Sequence, residues 1–175
     1  MDVSGRVWGA TNAEHEAVYP CDRLLPAGSE GWTRAVDVAA PPPVLFRWLR
    51  QLTIAPYSYD RLDFGGRRSP RALVPLPDLA VGQALLVFSI TDFRTDEHIT
   101  GLLPEALAAR WGRMAVSYTV RPQGEGSRLV VRVAAEAGGT ARRRVRRRLL
   151  AWGDLVMMRK QLLTLKALAE GTRRG

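Results

Sequence analysis

The sequence holds one cysteine, Cys21, in 175 residues. That excludes an internal disulfide framework and fits a reducing compartment. Lysine is almost missing: Lys160 and Lys166 stand alone, and arginine supplies the rest of the basic charge behind a formal net charge of +9. With abundant Ala, Gly and Pro, this arginine bias has the look of a high-GC genome. Part of the charge then reflects codon usage, and charge alone is no argument for a nucleic-acid partner. No apolar run approaches the roughly 20 residues that span a bilayer. The opening stretch MDVSGRVWGATNAEHEAVYP lacks the basic-then-apolar pattern of a signal peptide, so a cytoplasmic protein is expected. Histidine is scarce as well, with His15 and His98 only. No second histidine or cysteine stands at metal-ligand spacing, so neither a metal site nor a cofactor is expected. A glycine-rich phosphate loop, a Gly-x-Ser-x-Gly elbow and a His-Glu-x-x-His helix are all missing. Ser69 has no histidine in sequence reach, which leaves a hydrolase without support.

What remains is ordinary for a globular protein: 46% hydrophobic and 25% charged residues. The length suits one domain with a real core. There is no internal repeat and no linker. Residues 1–30 show no sustained period and carry Gly5, Gly9, Pro20, Pro26 and Gly28. They read as an N-terminal extension that packs on the surface or is partly mobile. A single domain over 31–171 and a tail over 172–175 follow. Trp32 to Val38 alternates and ends in β-branched residues, a strand. Pro41, Pro42 and Pro43 stop it and open a helix, since proline is tolerated in a first helical turn. Leu45, Trp48, Leu49 and Leu52 share one face of that helix. Ile54 to Leu62 reads as a second short helix or structured turn, and Asp63 to Pro77 as loop, with Arg71 to Val74 a short edge strand. Residues 84–91 alternate as one strand, His98 to Leu103 returns, and Leu107 to Trp111 is another short strand. Met114 to Arg121 and Arg128 to Glu136 each have an apolar and a polar side, joined by a hairpin turn at Gln123 to Gly126. From Ala141 to Glu170 one long helix runs, its apolar line marked by Val145, Leu149, Trp152, Val156 and Leu163, with Leu155, Leu162 and Leu165 beside it.

Strand, two short helices, a run of antiparallel strands and a long last helix resemble the SRPBCC superfamily, also called the START or polyketide-cyclase-like helix-grip fold. The residues that carry the likeness are Val36-Asp37-Val38-Ala39-Ala40-Pro41 and then Leu45-Phe46-Arg47-Trp48-Leu49. The chain also resembles a group of uncharacterised actinobacterial members. The matching stretches there are Ala55-Pro56-Tyr57-Ser58-Tyr59-Asp60, Gly66-Arg67-Arg68-Ser69-Pro70 and Gly153-Asp154-Leu155-Val156-Met157-Met158-Arg159-Lys160-Gln161-Leu162. The likeness covers roughly residues 32–170. It implies an α+β fold in which a curved antiparallel sheet of about six to seven strands wraps a long C-terminal helix, with a cavity between them. Such proteins include lipid carriers, hormone receptors and aromatic polyketide cyclases, and the superfamily shares no catalytic residue set.

Alternation assigns the cavity lining to Trp48, Phe88, Met114, Val116, Tyr118, Leu129, Val131, Trp152 and Val156, together with Leu86, Ile90 and Val133. The strand over 84–91 is open to a flip. Tyr57 and Tyr59 can hydrogen-bond a ligand carbonyl and offer apolar faces. Asp60 beside them, with Asp63, Arg67 and Arg68 near, can act as a base or orient a tyrosine. The competing assignment pairs Asp60 with an arginine and uses the tyrosines as filling. His98, beside Asp92, Arg94, Asp96 and Glu97, is an acid–base candidate if it faces the cavity. If it sits at a hairpin tip it is solvated instead. Asp154, grouped with Arg50 and Tyr118, interrupts the last helix and would need a partner if it faced inward; the competing assignment is an exposed or rim position paired with Arg147 or Arg50. Arg142, Arg143, Arg146 and Arg147 crowd the helix start, where the dipole disfavours cations. They suit an acidic or phosphate partner or a plain solvated face. No recognition helix, zinc spacing or aromatic RNA platform supports nucleic acid. A homodimer is left open.

The expected function is binding of a small hydrophobic or aromatic metabolite, lipid- or polyketide-like. The alternatives are a polyketide cyclase/dehydratase-like enzyme in the same cavity, with Tyr57, Tyr59, Asp60 or His98 moving protons, and a regulatory interaction protein using the arginine-rich helix start.

Overall fold

The computed structural model describes residues 6–58, 68–137 and 141–173, with the backbone alone for 141–155 and 173. The chain begins with β1 (Val7–Trp8), α1 (Asn12–Glu16) and a 3₁₀ turn (Pro20–Leu24). β2 (Glu30–Val38), α2 (Pro42–Arg50) and a second 3₁₀ turn (Gln51–Thr53) follow. Next come β3 (Ala84–Leu85), β4 (Phe88–Arg94), β5 (His98–Leu102), α3 (Glu105–Trp111), β6 (Met114–Gln123), β7 (Gly126–Ala135) and α4 (Ala141–Arg173). Among the described residues the strands form one sheet in the order β1-β2-β7-β6-β5-β4-β3. β1 runs parallel to β2, and every other pairing is antiparallel. The result is α+β: a seven-stranded sheet with the long C-terminal helix packed across it, the helix-grip arrangement. No helix of the described residues is long and apolar enough to cross a membrane.

Local chemistry accounts for these elements. Pro41 caps α2 in extended conformation and Pro42 takes the first helical position, where its missing N–H costs nothing. Leu45, Phe46, Trp48 and Leu49 then fall on the buried side. Each large apolar side chain so buried contributes roughly 1.5–3 kcal/mol. On β6 and β7 the inward residues are Val116, Tyr118, Val120, Leu129, Val131 and Val133, which meet α2 and the C-terminal half of α4. The turn between these strands falls at Gly124 and Glu125, as their alternation predicts.

The opposite face of the sheet carries a second core. Tyr19, Cys21 and Leu25 pack on Ala35, Ala115, Val130 and Ala134. Two outward arginines of β7 hold the segment there. Arg128 grips Glu14 bidentately, its Nε and Nη2 donating at 2.8 and 2.7 Å. It also donates to Asp37 Oδ1 at 3.0 Å. Arg132 donates to Asp22 Oδ1 at 3.1 Å and to the His15 carbonyl at 3.0 Å. It lies flat across Gly31, where any Cβ would overlap the guanidinium. The N-terminal extension is thus a layer of the fold, covering what the alternation of β7 left as a polar face.

Several expectations need correction. Leu107 to Trp111 belongs to the helix α3, not to a strand. Arg71 to Val74 forms no strand; Gln51 ties this loop down through the backbone N–H and carbonyl of Val74. Residues 84–91 are two strands, because the chain turns at Leu86 and Val87 and pairs Leu85 with Phe88. On α4 the buried stripe is Met158, Gln161, Leu162, Leu165 and Ala169, spaced by three and four. Val156 and Leu163, on the predicted apolar line, are 51% and 39% exposed. The helix carries two apolar lines, and over the described side chains from Val156 onward it turns the other one inward.

Candidate functional site

A cleft of about 420 Å³ opens at one end of the sheet, where three elements converge. One wall is the chain from Leu52 to Pro56, and a second is the β3–β4 corner from Leu86 to Phe88. The third is α4, through Met157, Met158 and Gln161. No charged side chain is among the described lining residues.

Each wall is positioned by chemistry behind it. Tyr57 adopts φ 55°, a left-handed conformation uncommon for a side-chain-bearing residue. Its N–H donates to Ser69 Oγ at 3.1 Å, and its ring turns inward, edge-on to Trp48 with centroids 6.1 Å apart. Trp48 in turn donates its indole N–H to Thr172 Oγ1 at 3.0 Å. This leaves Pro56 and Ser58, either side of Tyr57, facing the cleft. Leu86 also sits in the left-handed region, at φ 56°, where hairpin corners usually hold Gly, Asn or Asp. Its N–H donates to the Leu52 carbonyl at 3.2 Å, joining two walls through backbone. Phe88 lies over Gly101 of β5, where a Cβ would approach Phe88 Cβ to 2.9 Å.

Beneath the opening runs a buried polar chain. Tyr118 on β6 donates its hydroxyl to Gln161 Oε1 at 2.8 Å, and Gln161 Nε2 donates to the Pro56 carbonyl at 2.7 Å. The Tyr118 hydroxyl also lies 3.9 Å from Met158 Sδ. The sheet, α4 and the 52–56 wall therefore meet at one amide, which is only 4% exposed.

The structure gathers some of the expected site residues and separates others. Phe88 and Leu86 line the cleft, and Tyr118 stands one layer behind it. Trp48, Val116, Leu129, Val131, Ile90 and Val133 are buried in the core, and Met114 packs half-buried against it. Val156 points away to solvent, for the reason given above. Tyr57 fills the core against Trp48 rather than facing the cleft. His98 lies on the far face of the sheet: its neighbour Ile99 takes the inward position, and its Nε2 meets Asp92 Oδ2 at 2.9 Å. It cannot reach a ligand in the cleft. Arg50 is occupied by the carbonyls of Leu76 and Pro77 and by Asp78, at 3.4, 2.7 and 3.7 Å. Tyr59, Asp60, Asp63 and Arg67 lie outside the described residues, as do the side chains of Trp152, Asp154, Arg142, Arg143, Arg146 and Arg147. Sequence reasoning missed Gln161, Met157 and Met158. The available signal was a glutamine interrupting an apolar helical face three residues after Met158, with Leu162 and Leu165 completing the stripe.

Among the described residues the strongly perturbed ionisable groups sit on the other face. Arg128 holds the Glu14 carboxyl down at about 2, and burial pushes the Cys21 thiol up to about 12. Burial likewise raises Tyr19. Among the described residues no three metal-ligating side chains cluster. The cleft as described is thus a neutral, mostly apolar surface around one anchored amide.

No family model matches the chain, and no curated protein matches it in sequence. Solved structures do. Protein MLL2253 from Mesorhizobium loti is 16% identical with a TM-score of 0.51, over 82% of this chain and 98% of that one. TTHA0849 from Thermus thermophilus is 14% identical with a TM-score of 0.51, over 82% and 99%. The di-domain ARO/CYC StfQ from the steffimycin biosynthetic pathway is 16% identical with a TM-score of 0.47, over 84% of this chain and 52% of that one. At such identities the likeness to the first two is one of fold alone.

Proposed function

We propose that the protein is a cytoplasmic SRPBCC-superfamily member, of the actinobacterial group its sequence resembles, that binds a small hydrophobic or aromatic metabolite. The ligand enters through the cleft and lodges in an internal cavity between the sheet and α4. The observation that carries this reading is the lining: mostly apolar side chains from three separate elements, with the hydroxyls of Thr53 and Ser58, around one buried amide, and no charged group among the described lining residues. Such a surface holds a ligand by apolar burial and orients it with few polar contacts. The volume of about 420 Å³ lies within the roughly 300–1,000 Å³ of small-molecule pockets.

A cyclase- or dehydratase-like enzyme in the same space is less well supported. It needs an acid or base at the cleft, and His98 faces the other way. Tyr59 and Asp60 are then the groups on which such chemistry rests, and turnover lost in Asp60→Asn with binding intact would establish it.

Titration with the neutral fluorophore N-phenyl-1-naphthylamine tests binding. Met157 lies on the cleft wall at 39% exposure, so Met157→Trp should fold and obstruct the opening. The expected loss of affinity is about tenfold, the effect of roughly 1.4 kcal/mol of steric conflict. Equal affinity in the variant and the parent protein removes the cleft as the binding site.

A further inference from the structure

We infer that Gln161 is the specificity-determining residue of the cleft, and that its ligand is an uncharged, mostly apolar molecule bearing a carbonyl oxygen. This rests on the binding function proposed above and deepens it to a substrate class.

The argument starts from which way the amide points. A primary amide offers two N–H donors and two carbonyl lone pairs. The Pro56 carbonyl can only accept, so the atom 2.7 Å from it is Nε2. That fixes Oε1 toward Tyr118, 2.8 Å away, and makes the tyrosine hydroxyl the donor there. The orientation of Gln161 is therefore set by its partners, without reference to any ligand. Those two bonds use one N–H and one lone pair. Among the described residues the Gln161 side chain makes no other hydrogen bond. One N–H and one lone pair remain on an amide that lines the cleft.

A buried amide with half its capacity unspent is an unexpected choice for packing alone. Leucine or methionine would fill the same stripe between Met158 and Leu165 without the desolvation that an incompletely paired amide carries. The surrounding surface makes the spare donor selective. Ile54, Leu86, Phe88 and Met157 supply apolar surface, and the other polar side chains of the lining are Thr53, whose hydroxyl donates to the Arg50 carbonyl at 2.9 Å, and Ser58; of these groups the amide is the one held in place from two sides, and the ligand oxygen is assigned to it. A carbonyl accepts from the remaining N–H. A carboxylate or an ammonium group finds no counter-charge among the described lining residues and stays in water.

The test uses two neutral naphthalenes of nearly equal size. One is the ketone 6-propionyl-2-(dimethylamino)naphthalene, and the other is its 6-propyl analogue, which lacks the carbonyl. The parent protein should bind the ketone about tenfold more tightly, the effect of one hydrogen bond to a group otherwise left unpaired. Gln161→Leu should abolish that preference while holding the propyl compound as well or better. Gln161→Met, unbranched and of similar volume, serves if the leucine variant does not fold. Tyr118→Phe leaves the Pro56 bond in place and should keep the preference. Infrared spectra give a second readout: the bound ketone's C=O stretch should lie lower in the parent protein than in either Gln161 variant, a shift that a purely structural glutamine would not produce. Equal binding of both probes to the parent, or a preference that survives at position 161 without glutamine, overturns the inference and leaves apolar binding standing. Failure of both probes to bind, or binding indifferent to Met157→Trp, removes the binding function itself and the inference with it.

Discussion

At the scale of single residues, the ion pair between Glu14 and Arg128 does the most measurable work. Both side chains are 14% exposed, and the guanidinium meets both carboxylate oxygens. Arg128 lowers the Glu14 carboxyl from 4.5 to about 2. A carboxyl depressed in the folded state adds stability that is complete above its unfolded value and is lost as pH falls through the folded one. Glu14→Gln should therefore be less stable by about 2 kcal/mol at neutral pH, after allowing for screening by solvent. The difference from the parent should shrink between pH 4.5 and pH 2 and vanish below. Urea midpoints measured at pH 7, 4 and 2 check this, and a gap that stays constant with pH would assign the loss to something other than ionisation. None of this was visible in the sequence. The partner stands 114 residues away on a strand whose polar side reads as exposed.

At the scale of elements, legibility followed the regularity of the pattern. β6, β7 and α2 were readable because each buries one face against the same core, so period alone separates inside from outside. The β3–β4 corner was not, because Leu86 and Val87 carry none of the usual turn residues and continue the alternation on either side. Helix α3 reads as a strand because its seven residues are too few for a helical period to stand out. The pattern of α4 does not fix its inward face, because apolar residues lie on two of its lines and the choice between them depends on what the sheet offers. The cleft was legible only through Phe88 and Leu86. Its other walls are an irregular segment and a helical face broken by a glutamine, and neither leaves a periodic signature. The contact between β4 and β5 at Gly101 gives a prediction at this scale. Gly101→Ala puts a methyl 2.9 Å from Phe88 Cβ and 3.3 Å from the Ser89 carbonyl. Phe88 must then shift within the cleft wall. Chemical denaturation should show a loss of about 1–2 kcal/mol, as overpacking does, accompanied by altered affinity for N-phenyl-1-naphthylamine. An unchanged midpoint would mean the pairing yields without strain.

At the scale of the whole molecule, the sheet is a shared wall between two cores, one under α2 and α4 and one under the N-terminal segment. Cys21 reports on the second. It is 0% exposed, its N–H donates to Ser117 Oγ at 2.9 Å, and burial holds its thiol near 12. A neutral thiol shielded from solvent is inert to disulfide reagents. Ellman's reagent should therefore leave the native protein unlabelled, and in urea labelling should rise together with loss of the helical signal if the two cores open as one unit. Labelling that precedes the loss of helix would show the N-terminal layer detaching by itself.

The position of that layer also bears on how the protein is made. Residues 14 and 21 find their partners at Arg128 and Ser117, 114 and 96 residues further along. At roughly 5–20 residues per second, the ribosome delivers those partners several seconds after the segment has emerged. Through that interval Tyr19, Cys21 and Leu25 have no apolar surface of their own to cover them. A segment synthesised early thus waits for partners made late, and for that interval its apolar side chains are exposed surface of the kind that drives aggregation.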